Sequence, residues 1–169
     1  PKLESITFLT GHIYLFSSPT LKQLCCRHHS TIHQNFKGCH CKLGELSDLT
    51  HVSLPALEAF VLDRASLDWG GGDFAVARAR LSHLLQAVSP RAIFDIKELI
   101  IEDSSFLHAL QMLELLAGRL QVQHLRCIDQ LCDSDLQQLA SHLPSELVRV
   151  KLFRSNLSSA GLAAVVLGW

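Results

Sequence analysis

Three consecutive stretches of the chain, residues 96–118, 122–143 and 147–166, read IKELIIEDSSFLHALQMLELLAG, VQHLRCIDQLCDSDLQQLASHL and LVRVKLFRSNLSSAGLAAVV. Their starts are 26 and then 25 residues apart. Each stretch has apolar residues at relative positions 1, 4 and 6, then a polar segment, then apolar residues spaced three and four apart. This pattern predicts a short strand followed by a helix. Units of this size stack side by side and share one core.

The third stretch resembles a leucine-rich repeat of the ribonuclease-inhibitor type, whose pattern is close to LxxLxLxxNxLxxxGLxxL. The matching positions are Leu147, Val150, Leu152, Leu157, Gly161, Leu162 and Val165. At relative position 9, where the family prefers Asn or Cys, this unit has Ser155, so it resembles a divergent member. The resemblance implies an α/β solenoid shaped as a horseshoe arc. Its parallel sheet would line the concave face and its helices the convex face.

The whole chain, residues 1–169, is predicted to form a single domain, because 169 residues with 48% hydrophobic content can bury one full core. Residues 1–56 form irregular repeats with a His/Cys-rich loop at 25–41. Residues 57–95 form one repeat with a Gly-rich loop, and residues 96–121, 122–146 and 147–169 form regular repeats. The chain begins at Pro1 without Met, and its last unit has no polar capping repeat, so we expect it to belong to a longer protein.

The earlier strands follow the same signature. LESITF and LKQLCC begin at Leu3 and Leu21, and LEAFVL begins at Leu57. Leu57 lies 39 residues before Ile96. Each begins a copy of the signature, so the two residues are predicted to occupy equivalent positions in neighbouring units. LTHVSL, residues 49–54, is a candidate extra strand.

Helix boundaries are predicted from capping and stop residues. Asp73 caps a helix over FAVARARLSHLLQAV, and Ser89-Pro90 stops it. A second helix over residues 108–118 buries Leu110, Leu113, Leu116 and Ala117 and ends at Gly118. Asp133 or Ser134 starts a third helix, and Ser158 or Ser159 caps a fourth.

Composition argues against several functional classes. The net charge is −1 and no Lys/Arg-rich run exists, which argues against a dedicated nucleic-acid binder. No apolar stretch is long enough to span a bilayer, so we expect no membrane insertion. Six cysteines are too few for a disulfide scaffold of this length, which favours a reducing compartment, the cytoplasm or the nucleus. No GxSxG, HExxH or phosphate-cradling motif is present, so no catalytic residues are predicted.

A His/Cys-rich segment offers a possible metal site. Zinc takes four thiolate or imidazole ligands, and the best candidates are Cys26, His29, Cys39 and Cys41. Their spacing only approximates that of ordinary zinc sites. The alternative interpretation is a His-rich surface loop with one or two buried thiols. A zinc-stabilised interaction module that uses residues 25–41 is therefore the alternative function.

The repeat also predicts a binding surface. With positions 1, 4 and 6 in the core, positions 2, 3 and 5 face the concave side and positions 7 and 8, which include Asp63 and Arg64, lie at its rim. The concave face is predicted to be acidic around Glu98, Glu102 and Asp103 and basic at its end. The predicted partner-binding residues are Glu98, Glu102, Arg126, Arg149, Lys151, Phe153 and Arg154.

Arginine and aromatic side chains are enriched at interface anchors, so the basic end is predicted to dock an acidic segment of another protein. The alternative interpretation is that these are ordinary solvent-exposed strand residues without a binding role. Proteins of the resembled family serve as ligand-sensing parts of immune receptors, ubiquitin-ligase substrate receptors, inhibitors and assembly factors. The predicted function is therefore a non-enzymatic recognition scaffold. An all-helical repeat is a further alternative for the fold.

Overall fold

The computed structural model describes residues 3–8, 17–26, 41–43, 53–67, 73–101, 106–128, 130–144, 147–153 and 155–168. These residues form an α/β structure of parallel strands and helices. In chain order its elements are β1 Ser5–Phe8, β2 Gln23–Cys26, β3 Cys41–Lys42, β4 Ala59–Ser66, α1 Phe74–Ala87, β5 Ile93–Ile101, α2 Phe106–Leu115, β6 Leu120–Cys127, α3 Asp133–His142, β7 Arg149–Leu152 and α4 Ser159–Gly168.

The strands form one parallel sheet in the order β1-β2-β4-β5-β6-β7, with β3 also paired to β4. Apart from β3, the strands therefore lie side by side in the order in which they occur in the chain. From β4 onward a helix follows each strand, as the repeated pattern predicts. The predicted α/β class with a parallel sheet is confirmed, and the all-helical alternative is wrong.

The inward-facing residues of the long strands follow a spacing of two, three and two residues. On β4 and just after it they are Phe60, Leu62, Ala65 and Leu67, each fully buried. The corresponding buried residues of β5 are Phe94, Ile96, Leu99 and Ile101. A regular strand alternates sides at every residue, so the step of three inserts one extra residue and leaves two adjacent side chains on the outer face. This spacing is the structural form of the apolar signature at positions 1, 4 and 6.

The strand register confirms most of the predicted alignment. Ile96 pairs with Val122 and Leu125 with Val150, which reproduces the 26- and 25-residue offsets. Ile6 likewise pairs with Leu24. The early units therefore stack in the register that their signatures predict.

The predicted alignment of Leu57 with Ile96 is wrong, because Ile96 pairs with Leu62. The signature occurs twice in this part of the chain, as LEAFVL and as LDRASL, and the two copies share Leu62. The second copy, with Ala65 and Leu67 at positions 4 and 6, is the one aligned with β5. Alanine in place of a larger aliphatic residue makes this second copy hard to see in the sequence.

Helix α1 begins where the sequence predicts. Asp73 is its N-cap, and its Oδ1 accepts a hydrogen bond from the Ala75 N–H at 2.8 Å. Ala77, Leu81 and Leu84 are buried and form the inward-facing side of the helix. After the helix, Val88 forms a parallel bridge with Leu54, the described end of the candidate strand LTHVSL.

The later helices confirm the predicted stop and start signals with one correction. Gly118 adopts φ +73° after α2, the left-handed conformation typical of a residue that ends a helix. However, α2 ends at Leu115, so Ala117 lies beyond it and is exposed, whereas the sequence predicted it to be buried. Helix α3 begins at Asp133 after Cys132, and α4 begins at Ser159.

The inward side chains of the strands and the buried residues of α1, α2 and α3 form one hydrophobic cluster. Cys26 and Cys127 belong to this cluster. Helices α1, α2 and α3 therefore cover one face of the sheet, and the opposite face carries polar side chains. None of the helices in the described ranges is long and apolar enough to cross a bilayer.

Candidate functional site

The outer face of the sheet is organised in two rows that run across the strands. The first row contains the register partners Arg64, Glu98, His124 and Arg149. The second row contains Ser66, Ile100, Arg126 and Lys151. Neighbouring strands lie about 4.8 Å apart, so side chains in one row are in mutual reach.

Exposure increases along the second row toward β7. Ser66 and Ile100 are buried, Arg126 is half-buried and Lys151 is exposed. In the second row the accessible side chains are therefore those of Arg126 and Lys151, whereas in the first row Arg64 is exposed as well. The sequence predicted the basic end of the face at strands β6 and β7.

Glu98 is not a free acidic group on this face. Its Oε2 lies 2.9 Å from Nε of Arg64, and its side chain is 13% exposed. The sequence pattern predicts a rim position for Arg64, because it aligns Leu57 with Ile96. The observed register instead places Arg64 directly opposite Glu98. The second signature copy, LDRASL, is the sequence signal that could have revealed this pair.

Arg126 and Phe153 are brought together at the end of the sheet. The guanidinium carbon of Arg126 lies 5.3 Å from the centroid of the Phe153 ring, within the range of a cation–π interaction. The main chain holds the ring in this position, since the Phe153 N–H donates a hydrogen bond to the Cys127 carbonyl at 2.9 Å. Phe153 is 44% exposed despite its apolar ring.

The cations of this region lack acidic partners among the described residues. Lys22 pairs with Glu4 at 3.8 Å and Arg64 pairs with Glu98, but no such ion pair involves Arg126, Arg149 or Lys151. Nε of Arg126 is buried and has no hydrogen-bond acceptor in this part of the structure. The guanidinium of Arg126 thus lies over the Phe153 ring, and no acidic side chain of the described residues forms an ion pair with it.

We call Arg126, Arg149, Lys151 and Phe153 the basic patch. The structure places these four predicted residues at one end of the outer face. His124 lies between Arg149 and Glu98 in the first row, whereas Glu98 is the diagonal neighbour of Arg126 on β5. His124 occupies position 3 of its repeat, which is predicted to face the concave side, but it is not one of the predicted partner-binding residues. Glu102 and Arg154, also predicted as partner-binding residues, lie outside the described residues, as does Asp103.

The candidate metal ligands are only partly described. Cys26 is buried in the core, and burial raises the pKa of its thiol, with a further contribution from the charge of Asp63. Zinc binds thiolates, so a raised thiol pKa is unfavourable for a ligand. Cys41 opens β3, with its backbone paired to Ala65, whereas His29 and Cys39 lie outside the described residues. Within the described ranges, no three His, Cys, Asp or Glu side chains form a metal-binding group.

Comparisons with protein-family models, with curated proteins and with solved structures gave no match. The assignment of a function therefore depends on the chemistry of the outer face.

Proposed function

We propose that this protein is a non-enzymatic recognition scaffold that binds an acidic segment of a partner protein through the basic patch. In this proposal the strand–helix units form a leucine-rich-repeat solenoid, and the outer face of the sheet is its concave side. The observation that carries the proposal is that Arg126, Arg149 and Lys151 lie beside the exposed ring of Phe153 and form no ion pair with any acidic side chain in the described part of the chain.

The composition of the basic patch supports a protein partner. An arginine stacked on an aromatic ring loses little side-chain freedom on binding, and both residue types are enriched at binding hot spots. Complementary charge attracts an acidic segment and suppresses basic competitors. The net charge of −1 supports a local protein contact over the broad basic surface that nucleic acid requires.

The fold supports the same proposal. Parallel strands in chain order, with helices on one face, leave a continuous outer face on which residues from several units act together. Stacked repeats commonly use such extended surfaces for binding. Cys25 and Cys132 form no disulfide bond, which fits the proposed location in the cytoplasm or the nucleus.

The test is affinity capture from cell lysate with three forms of the protein. The first is the wild type, and the second carries R126E, R149E and K151E. The third carries R78E, R80E and R91E, which change the net charge equally but lie on α1 and just after it. Circular dichroism and thermal unfolding must show that all three forms are folded.

The proposal expects partners that are captured by the wild type and by the α1 variant but lost with the patch variant. Mass spectrometry identifies them, and their binding should weaken with increasing salt. Partners that are retained equally by the folded patch variant would contradict the proposal and direct attention to another surface.

A further inference from the structure

We infer that the acidic segment presents a phosphorylated side chain, and that Arg126, Arg149 and Lys151 contact its phosphoryl group together. This inference rests on the proposed function and adds the chemical class of the group that is recognised. It follows from the spacing, charge and orientation of the three cations.

The spacing of the three residues favours one shared ligand group. Arg126 and Lys151 are register partners on neighbouring strands, about 4.8 Å apart at their backbones. Arg149 lies two residues before Lys151, about 6.6 Å along β7, and both side chains are exposed while Val150 between them is half-buried. The three side chains thus start from the same face of the sheet. Long flexible side chains that start this close can converge on a single anion.

The charge of the three residues favours a phosphoryl group over a carboxylate. A carboxylate offers one negative charge and two acceptor oxygens, so three converging cations would remain undercompensated. A phosphoserine or phosphothreonine carries a charge of about −1.5 to −2 at pH 7 and three strong acceptor oxygens. Three cationic side chains therefore match the acceptors of one phosphoryl group.

Phe153 orients the arginine for this contact. The Phe153 ring lies 5.3 Å from the guanidinium carbon of Arg126 and limits the positions that the guanidinium can take. A restrained planar guanidinium is suited to bidentate hydrogen bonds with phosphate oxygens. Lysine at this position would keep the charge but lose the planar geometry.

Glu98 limits the anion site to the β6–β7 end. It lies one strand away from His124 in the first row, and Arg64 already neutralises it. An anionic ligand placed further toward β5 would meet this carboxylate and a cation that is already paired. The phosphoryl group is therefore confined to the region above Arg126, Arg149 and Lys151.

The test uses two synthetic peptide libraries with identical randomised flanks, one with a fixed central phosphoserine and one with a fixed central glutamate. Each library is incubated with the wild type, the patch variant, the R78E/R80E/R91E control and an R126K variant. Peptides that are retained are quantified by mass spectrometry. Inorganic phosphate alone is titrated into the wild type and followed by amide chemical shifts, to separate a phosphopeptide site from a site for small phosphates.

We expect the wild type and the control to retain the phosphoserine library at least about tenfold more than the glutamate library, and the patch variant to retain neither. R126K should lose most of this preference. Equal retention of the glutamate library would overturn the inference and leave the proposed function standing. Inorganic phosphate that binds as tightly as the retained peptides would also overturn it, in favour of a small-molecule phosphate. Retention of neither library by the wild type would overturn it too, while lysate capture judges the proposed function separately.

Discussion

The carboxylate of Asp133 accepts hydrogen bonds from both the main-chain N–H and the side-chain O–H of Ser158, the N–H at 2.9 Å. Asp133 is the first residue of α3, and Ser158 directly precedes α4. The side-chain oxygen of Ser158 also accepts a hydrogen bond from the Gly161 N–H at 3.0 Å, as the side chain of a helix N-cap does. These contacts join the starts of two consecutive helices.

Gly161 makes this junction possible, because a Cβ atom at this position would lie 2.0 Å from Oδ1 of Asp133. Gly161→Ala should therefore displace the carboxylate from Ser158 and lower the midpoint of thermal unfolding. This loss is expected even though alanine is favoured over glycine inside a helix by up to about 1 kcal/mol. Thermal unfolding followed by circular dichroism measures the change.

Asp133→Ala is the matched background for this test. Without the carboxylate the added methyl group meets less obstruction, so Gly161→Ala should be neutral or stabilising in the Asp133→Ala protein. A stabilising effect of Gly161→Ala in the wild type would contradict the proposed steric role of the carboxylate.

The junction between Asp133 and Ser158 also predicts that the stability of the folded protein depends on pH. The hydrogen bonds from Ser158 hold the pKa of Asp133 below its usual value, the side-chain bond contributing most. The unfolded state therefore binds a proton at higher pH than the folded state does. The stability that Asp133 contributes is present above the ordinary Asp pKa of about 3.9 and is lost as the pH falls through the lower folded pKa.

Urea unfolding at a series of pH values tests this prediction. The stability difference between the wild type and Asp133→Asn should be present at pH 6 and shrink as the pH is lowered below about 4. Ser158→Ala removes the side-chain donor and should reduce the pH dependence of the stability that Asp133 contributes. A difference that stays constant down to acid pH would show that ionisation of Asp133 contributes nothing to stability.

Local sequence signals predicted much of this fold. The cap at Asp73, the stop at Gly118 and the inward side chains of β5 and β6 each depend on residues close together in the sequence. The offsets of the last three strands were also readable, because their apolar positions repeat without ambiguity. These features need no knowledge of distant contacts.

Two features of the structure could not be predicted from local sequence signals. The register of β4 with β5 was ambiguous because two overlapping signatures share Leu62, and only packing against β5 selects the second. This selection brings Arg64 to Glu98 and changes the predicted acidic end of the outer face. The stacking of Arg126 on Phe153 likewise depends on three-dimensional position, although periodicity had assigned both residues to the predicted binding surface.

The observed register predicts a coupling between Arg64 and Glu98. Arg64→Glu places two negative charges opposite each other on neighbouring strands and should lower the free energy of unfolding by about 1 kcal/mol. The exchange Arg64→Glu with Glu98→Arg should recover most of this loss. A double-mutant cycle from urea unfolding measures the coupling, which should be about 0.5–1 kcal/mol.

Glu58→Arg serves as the control, since Glu58 is exposed and lies before β4. Combined with Arg64→Glu it should give an additive effect. If the exchange at positions 64 and 98 were also additive, the register of β4 with β5 would have to be revised.

Gly118 offers a test of backbone conformation without steric contacts. Its φ is +73°, and a Cβ atom added there would meet no heavy atom within 4 Å. Gly118→Ala should therefore lower the free energy of unfolding by about 1 kcal/mol, entirely because an L residue disfavours this conformation. Gly118→Asn should cost less, since asparagine tolerates the left-handed region better. Equal stability of the alanine variant and the wild type in urea unfolding would contradict this account of how α2 ends.

The different burial of the cysteines predicts different rates of alkylation. Cys132 is exposed, whereas Cys25, Cys26 and Cys127 are buried. Since the thiolate is the reactive form, burial and the raised pKa of Cys26 should make its alkylation by iodoacetamide slower than that of Cys132, by roughly 100-fold or more. Timed labelling at pH 7.5 with peptide mass spectrometry measures both rates, and labelling in denaturant gives the unprotected limit. A Cys132→Ser variant shows whether modification of Cys132 affects the buried thiol.

The same labelling experiment separates the two interpretations of Cys26. As a core residue, Cys26 should keep the same slow rate when a strong zinc chelator is added, because packing against the apolar cluster protects it. As a zinc ligand, it would become faster once the metal is removed, since its protection would depend on coordination. Faster alkylation of Cys26 in the presence of chelator would therefore support a zinc-stabilised module at residues 25–41, with Cys26 as one of its ligands.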